Sequence, residues 1–454
     1  MTRATRPHPT TAPLCHDAVI VVPGIMGSEL VNTATGSVLW GLADLSWYVS
    51  AWCDGRSLDE LAVRDPDPAM EARRVKPLGL LRFPAFMPFL AGLEPYTPLL
   101  ERLAAAVAHP AALTEFAYDW RLPATYNAEL LAQATSTQLT HWRRYAASRR
   151  PHGAARAVII AHSMGGLLVR EMARIPGALD DVRSVITLGT PFQGTLDAVE
   201  MLVPGRPGPF PLPKGRLRRL ARTLPAVQDL LPTYPCVHEA GRLRPLTAGD
   251  LDANVPAWTA QPLPRLPGHV CVVGMGQPTY QSLTIHDGDL RLHRHLPETD
   301  FQDPGAQTLY VDHSGDGTVY RYSAQQSGAE RHWPHQTHGA LARSNDIINH
   351  IVNLITEKPG GPALGGARIG LEAPDMVRPG EPFRVRLTGP DAIAAICSFE
   401  DLTSGSPDIT ARLRGDSAGG RTGMVRLTRP GLYRVRAAGG GGSPVLRMLL
   451  VAAR

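Results

Sequence analysis

Ser163 is the residue around which chemistry gathers. It lies in the run Ala157-Val158-Ile159-Ile160-Ala161-His162-Ser163-Met164-Gly165-Gly166-Leu167-Leu168-Val169-Arg170. The four apolar residues at its start read as a buried strand, and the residues after Gly165 have helical periodicity. A serine on a sharp strand-to-helix turn is lifted clear of the sheet with its hydroxyl exposed, and the turn demands small residues two places before and after it. Gly165 meets that demand on one side, and Ala161 replaces the more usual glycine on the other. A serine hydroxyl attacks only when a neighbouring base removes its proton. The oxyanion formed on attack needs donors already aimed at it. At a helix start the amides are free and the dipole is positive, so the Met164 N–H is the expected first donor.

Such a serine needs a histidine base and an acid to orient it. On a strand–turn–helix nucleophile these follow in the order serine, acid, histidine. Asp316, set between Gly315 and Gly317 after a short strand, is the expected acid, with Asp303 and Asp312 as alternatives. Three histidines follow at 332, 335 and 338. Their even spacing suggests metal ligation, but Pro334 interrupts a regular helix and no cysteine or acidic ligand sits among them, so no metal is expected. His338, at the border of the last helix of the domain, is the expected base, and His162 is expected to shape the turn. The second oxyanion donor is expected from Pro23-Gly24-Ile25-Met26, at Ile25 N–H with Met26 as the alternative. Asp119 precedes the nucleophile and is expected to pair structurally with Arg121.

These residues require a sheet to hold them. Ala18 to Val22 is apolar throughout, as a parallel strand buried on both faces should be. Further strands are expected at Leu113 to Tyr118, Val182 to Leu188, Gly268 to Val273 and Leu309 to Asp312. Helices are expected at Pro98 to Val107, Ala128 to Arg149 and Gly339 to Thr356, and a β-hairpin around Asp287-Gly288. Trp40, Trp47 and Trp52 lie in a stretch dense in aromatics and Phe86 and Phe89 on a proline-broken one, and all five are expected to wall an acyl pocket. Between Lys214 and Leu224, leucines alternate with arginines at helical spacing. This gives an amphipathic helix with a basic face: a solvated surface, or a lid touching an anionic membrane.

The chain of 454 residues, 43% hydrophobic and 19% charged, is globular and long enough for two domains. A net charge of +5 spread over that length is no nucleic-acid signature. The five cysteines are scattered and never form a Cys-x-x-Cys pair, which suits a reducing compartment. No signal peptide or membrane span is encoded, so a cytoplasmic protein with peripheral membrane contact is expected. No cofactor is expected. The reading divides the chain into a disordered tail (1–16), an α/β-hydrolase domain (17–357) with lid insertions at about 40–95 and 200–250, a Pro/Gly linker (358–366), and an Ig-like β-sandwich (367–454) of about six strands. In the last, Phe383 to Leu387 and Tyr433 to Ala437 alternate with period two.

Together these motifs resemble the lecithin:cholesterol acyltransferase-like branch of the α/β-hydrolases from about Ala18 to Thr356. The resemblance rests on Val-Val-Pro-Gly-Ile-Met-Gly-Ser-Glu-Leu at 21–30, Tyr-Asp-Trp-Arg at 118–121 and Ala-His-Ser-Met-Gly-Gly at 161–166. Gly-Thr-Pro-Phe-Gln-Gly at 189–194, Gly-Asp-Gly-Thr-Val at 315–319 and the His338 to Asn345 segment complete it. It implies a Ser163–Asp316–His338 triad, oxyanion donors at Ile25 and Met164, and acyl transfer from a lipid ester to water or an alcohol. The chain departs from the family in two ways: Cys53 lacks an obvious partner for the disulfide that secreted animal members carry, and the β-rich tail is not part of the family core. Two other functions are consistent with the residues. One is a carboxylesterase or amidase for small substrates; the other is a binding protein that uses the hydrolase shell as scaffold and the sandwich for partner contact.

Overall fold

The computed structural model describes residues 13–41, 57–86, 92–93, 95–148, 153–203, 214–239, 241–251, 258, 262–286, 289–298, 308–358, 367–417, 419–439 and 442–452. Six strands form the central sheet: β1 (Ala18–Val22), β2 (Leu113–Glu115), β3 (Ala157–His162), β4 (Val182–Leu188), β5 (Val270–Val272) and β6 (Glu330–His332). Their order is β6-β5-β4-β3-β1-β2, and every pairing is parallel. β1 and β3 are buried along their whole lengths, which is why they read as unbroken apolar runs. Helices Thr97–Ala106, Ala124–Trp142, Gly165–Met172 and Asn345–Ile355 accompany this sheet. The doubly covered parallel sheet is the α/β-hydrolase architecture expected from the sequence.

Several boundaries differ from expectation. Cys15 is only 2% exposed and exchanges backbone hydrogen bonds with Ala106 and Ala108, so this part of the segment read as a tail is packed into the fold. The last hydrolase helix starts at Asn345, not Gly339, because His338–Ala340 forms a separate 3₁₀ turn. Leu309–Val311 does not join the central sheet; it pairs antiparallel with Leu296–Glu298 in a two-stranded ribbon. The hairpin is present as Ser282–His286 against Asp289–His293, with its turn residues outside the described ones. Most of the linker also lies outside them.

Asp119 and Arg121 form the expected pair: Arg121 Nη2 donates to Asp119 Oδ2 at 2.6 Å, and Nη1 lies 3.1 Å from Glu71 Oε1. All three side chains are buried, so each charge depends on the others.

The C-terminal segment folds into a four-stranded and a five-stranded sheet with a core of their own, including Val385, Leu387, Phe399 and Val435. The last strand, Val445–Val451, serves two cores. Val445, Leu449 and Val451 face into the sandwich, while Met448 and Leu450 join the hydrolase core together with Leu432 and Ala452. This period-two alternation lets one strand fuse the two units. No helix among the described residues is long and apolar enough to cross a membrane.

Candidate active site

Ser163 follows β3 directly and has φ of +53°, the left-handed region that costs a non-glycine residue on the order of 1–3 kcal/mol. Its amide donates to Leu188 O at 2.8 Å, and this tie to β4 holds the turn in place. A Cβ on Gly165 would stand 2.5 Å from Pro23 O and 2.8 Å from Val22 O. The glycine therefore lets the helix begin directly against the end of β1. This contact, together with the strain at Ser163, is the physical basis of the small-residue rule read from the sequence.

The structure brings Ser163, Asp316 and His338 together. His338 Nε2 lies 2.7 Å from Ser163 Oγ, and His338 Nδ1 lies 2.7 Å from Asp316 Oδ2. Asp316 Oδ1 accepts from the amides of Thr318 and Val319 at 3.0 and 2.7 Å, which leaves Oδ2 to face the imidazole. A carboxylate only accepts, so the proton of the neutral ring sits on Nδ1 and Nε2 is open to the serine hydroxyl. The backbones are joined as well, His338 N–H donating to Asp316 O at 2.8 Å. All three residues are at most 6% exposed. Asp316 reaches this place by a different route from the one expected. The strand before it belongs to the separate ribbon, and the Asp316 loop is held instead by the segment after β5, where Gln277 N–H donates to Gly315 O at 3.0 Å.

Ile25 and Met26 lie beside Ser163 in a turn after β1, with Met26 at φ +63°. Among the described residues, the amides of Ile25, Met26 and Met164 donate to no protein acceptor. Trp40 does not wall the cavity. It is wholly buried, and its indole N–H donates to Met26 O at 2.7 Å, so it supports this turn from behind. An indole carries one donor that must be matched when buried, and a carbonyl in a strained turn supplies the match. Trp47, Trp52 and Phe89 lie outside the described residues, as does the side chain of Phe86.

His162 and Tyr96 are a further pair at the site, and Tyr96 carries no motif that would have marked it in the sequence. Gly24 N–H donates to Tyr96 Oη at 2.9 Å, and Tyr96 Oη lies 2.8 Å from His162 Nδ1. His162 Nε2 lies 3.0 Å from His338 O, a pure acceptor. The directions follow from this: His162 carries its proton on Nε2, and the tyrosine hydroxyl donates to Nδ1. Burial, reinforced by the neighbouring His338, lowers the His162 pKa to about 3. His162 therefore stays neutral while it ties the Gly24 turn to the His338 loop.

Ser163 and His338 line a small cavity of about 20 Å³ with Ile25, Met26, Pro191, Thr195, Leu230, Thr318 and Val319. That is room for about one water, in mainly apolar walls. A larger cleft of about 610 Å³, lined by residues 265–270 and 326–330, lies at the amino-terminal ends of β5 and β6. This is the rim opposite the one where ligands bind in open α/β sheets. His332 is remote from the serine and stacks on His350 at 4.4 Å, and His335 pairs by backbone with Met275.

Residues 87–242, which include the serine strand and turn, match the family described as Lecithin:cholesterol acyltransferase. No curated protein matches the chain. Among solved structures, a chain of the Tle4–Tli4 complex is 14% identical with a TM-score of 0.43, over 78% of this chain and 100% of that one. The propeptide form of Bacillus licheniformis lipase BlEst2 is 13% identical with a TM-score of 0.34, over 98% of this chain and 75% of that one. Likeness at this level passes nothing about function to this chain. The parallel sheet and the serine on its strand-to-helix turn give the chain an α/β-hydrolase fold, and its residues 87–242 are similar to the lecithin:cholesterol acyltransferase family.

Proposed function

We propose that this protein is a serine-dependent acyl-ester hydrolase or O-acyltransferase acting on lipid esters through a covalent acyl-enzyme. The observation that carries the proposal is the unbroken hydrogen-bonded line from Ser163 through His338 to Asp316. In this reading His338 Nε2 takes the hydroxyl proton as Ser163 Oγ bonds to the substrate carbonyl carbon. The carbonyl oxygen becomes an oxyanion facing the amides of Ile25, or Met26, and Met164. When the intermediate collapses, the ester C–O bond breaks and the leaving alkoxide receives the proton from His338. Water or an alcohol then gives its proton to His338 and attacks the acyl carbon; as the acyl–Oγ bond breaks, His338 returns the proton to Ser163. Asp316 orients the ring and stabilises its charged form. Oxyanion donors of this kind are worth about 10²–10³-fold in rate each.

Support for a lipid acyl group comes from the apolar cavity walls and from the family match. The basic helix Lys214–Thr223 buries Leu217, Leu220 and Ala221; on its other side Arg219 is exposed and Arg216 half-buried, while Arg218 Nε donates to Leu202 O at 2.8 Å. We read that face as a peripheral contact for an anionic membrane. Among the described residues Cys15, Cys236, Cys271 and Cys397 are buried and none joins a disulfide, in keeping with a reducing compartment. The test is kcat/KM across p-nitrophenyl esters of increasing acyl length. The lipid reading expects values that rise with chain length, and a preference for acetate favours the small-ester reading instead.

A further inference from the structure

Two buried glutamines connect the reacting loops to the β-sandwich. Gln277 sits in the loop after β5, and its backbone pairs with Gly315 beside Asp316. Its side chain is only 1% exposed and points into the sandwich, where Nε2 donates to Ile369 O at 3.0 Å and Oε1 accepts from Leu371 N–H at 3.0 Å. Gln336 lies two residues before His338 and is equally buried. Its Nε2 donates to Pro444 O at 2.9 Å, and its Oε1 accepts from Leu446 N–H at 3.0 Å.

The two contacts share one geometry. Each amide takes the carbonyl of residue i and the N–H of residue i+2, at 369/371 and at 444/446. A strand offers these groups to a residue of a parallel neighbour. A glutamine side chain carries the donor and acceptor of a peptide, so it can occupy that place without a strand. Thr337 adds a hydrogen bond from Oγ1 to Leu446 O. One glutamine grips the four-stranded sheet through Gly370–Glu372, and the other grips the five-stranded sheet through Val445–Val451.

We propose that the β-sandwich is a clamp that sets the distance between the Asp316 and His338 loops, with Gln277, Gln336 and Thr337 as positioning residues. The proposal rests on the reading of Asp316 and His338 as acid and base. It gives the C-terminal domain an intramolecular role: the two loops come from separate parts of the chain, and one rigid body holds both. A buried amide is costly to leave unmatched, so the four glutamine bonds resist independent movement of either loop.

The test compares Gln277→Met, Gln336→Met, Thr337→Val and Thr337→Ser in the full-length chain. The readouts are p-nitrophenyl butyrate hydrolysis, fluorophosphonate labelling of Ser163 and thermal midpoints. Gln277→Met and Gln336→Met are expected to lower kcat about 10- to 100-fold, with KM changed by less than about threefold, because misplacement of the base slows chemistry more than binding. Labelling should slow in proportion. Thr337→Ser, which keeps the hydroxyl, should retain the parent rate, while Thr337→Val should not. Glutamine variants that fold and keep the parent kcat overturn the clamp. If they do not fold, the threonine pair decides, and equal rates for valine and serine overturn it. A parent chain that neither labels nor hydrolyses refutes the nucleophile reading itself, and the clamp with it.

Discussion

The most constrained residue around the imidazole is Gly189, just after β4. Its φ is +59°, and a Cβ there would stand 2.9 Å from Asp316 Oδ2 and 3.0 Å from His338 Nδ1. Any other residue would have to displace Leu341 Cδ1, at 2.6 Å, and press on the Asp316–His338 pair. Gly189→Ala is expected to lower kcat about 100-fold or more, because a displacement near 1 Å costs that much when reacting groups are held in line. Steady-state kinetics checks this, with the thermal midpoint as control. The residues that meet here were legible in the sequence because each belongs to a short motif with its own local geometry. Tyr96 was not, since its partners Gly24 and His162 lie 72 and 66 positions away and a tyrosine among prolines marks no chemistry by itself.

At the scale of elements, the helix Leu196–Leu202 carries an acid in an unfavourable place. Thr195 caps it, its Oγ1 accepting from Asp197 N–H at 3.3 Å. A carboxylate in a first helical turn gains about 0.3–1 kcal/mol from the dipole. Asp197 is buried, and its carboxyl is pushed well above the ordinary range, chiefly by desolvation and further by Glu200, Asp375 and Asp316. Burial of a charge costs several kcal/mol, and the Thr318 hydrogen bond offsets only part of it, so burial outweighs the dipole. The folded chain therefore holds this proton more tightly than the unfolded chain. Its contribution to stability is complete below about pH 4, the unfolded value, and declines as pH rises toward the folded one, by at most about 1.4 kcal/mol per pH unit. Asp197→Asn is expected to flatten that decline, so its thermal midpoint should exceed the parent's at pH 8 and match it near pH 4. Equal midpoints at pH 8 would show the acid to be relieved in another way.

Strands were the most legible elements. Val182–Leu188 falls where the sequence places it, because its β-branched residues and short length favour a strand, and its last four residues are buried. The strand before Asp316 was legible as a strand but not as part of a separate ribbon, because alternation does not name a partner. The last hydrolase helix begins later than its apolar spacing suggests, because the His338 turn must close back on Asp316 first.

At the scale of the whole molecule, the sequence separates a hydrolase unit from a β-rich tail by a change of period and a Pro/Gly stretch. It does not show that the two share a core, because Met448 and Leu450 look like any outward residues of a sandwich strand. Gln277 and Gln336 are silent in the sequence for the same reason: a polar residue in a loop reads as solvated until its partners, about 100 positions on, are in place. In the proposed account the molecule is one rim held from two sides, by the parallel sheet beneath Ser163 and by the sandwich behind the Asp316 and His338 loops.

The measurement that bears most directly on this account is peptide mass spectrometry of the full-length protein after treatment with a fluorophosphonate. The account predicts one stoichiometric adduct on Ser163, lost in Ser163→Ala and strongly slowed in His338→Ala. An unmodified Ser163 in folded protein, or an adduct on another residue, contradicts it.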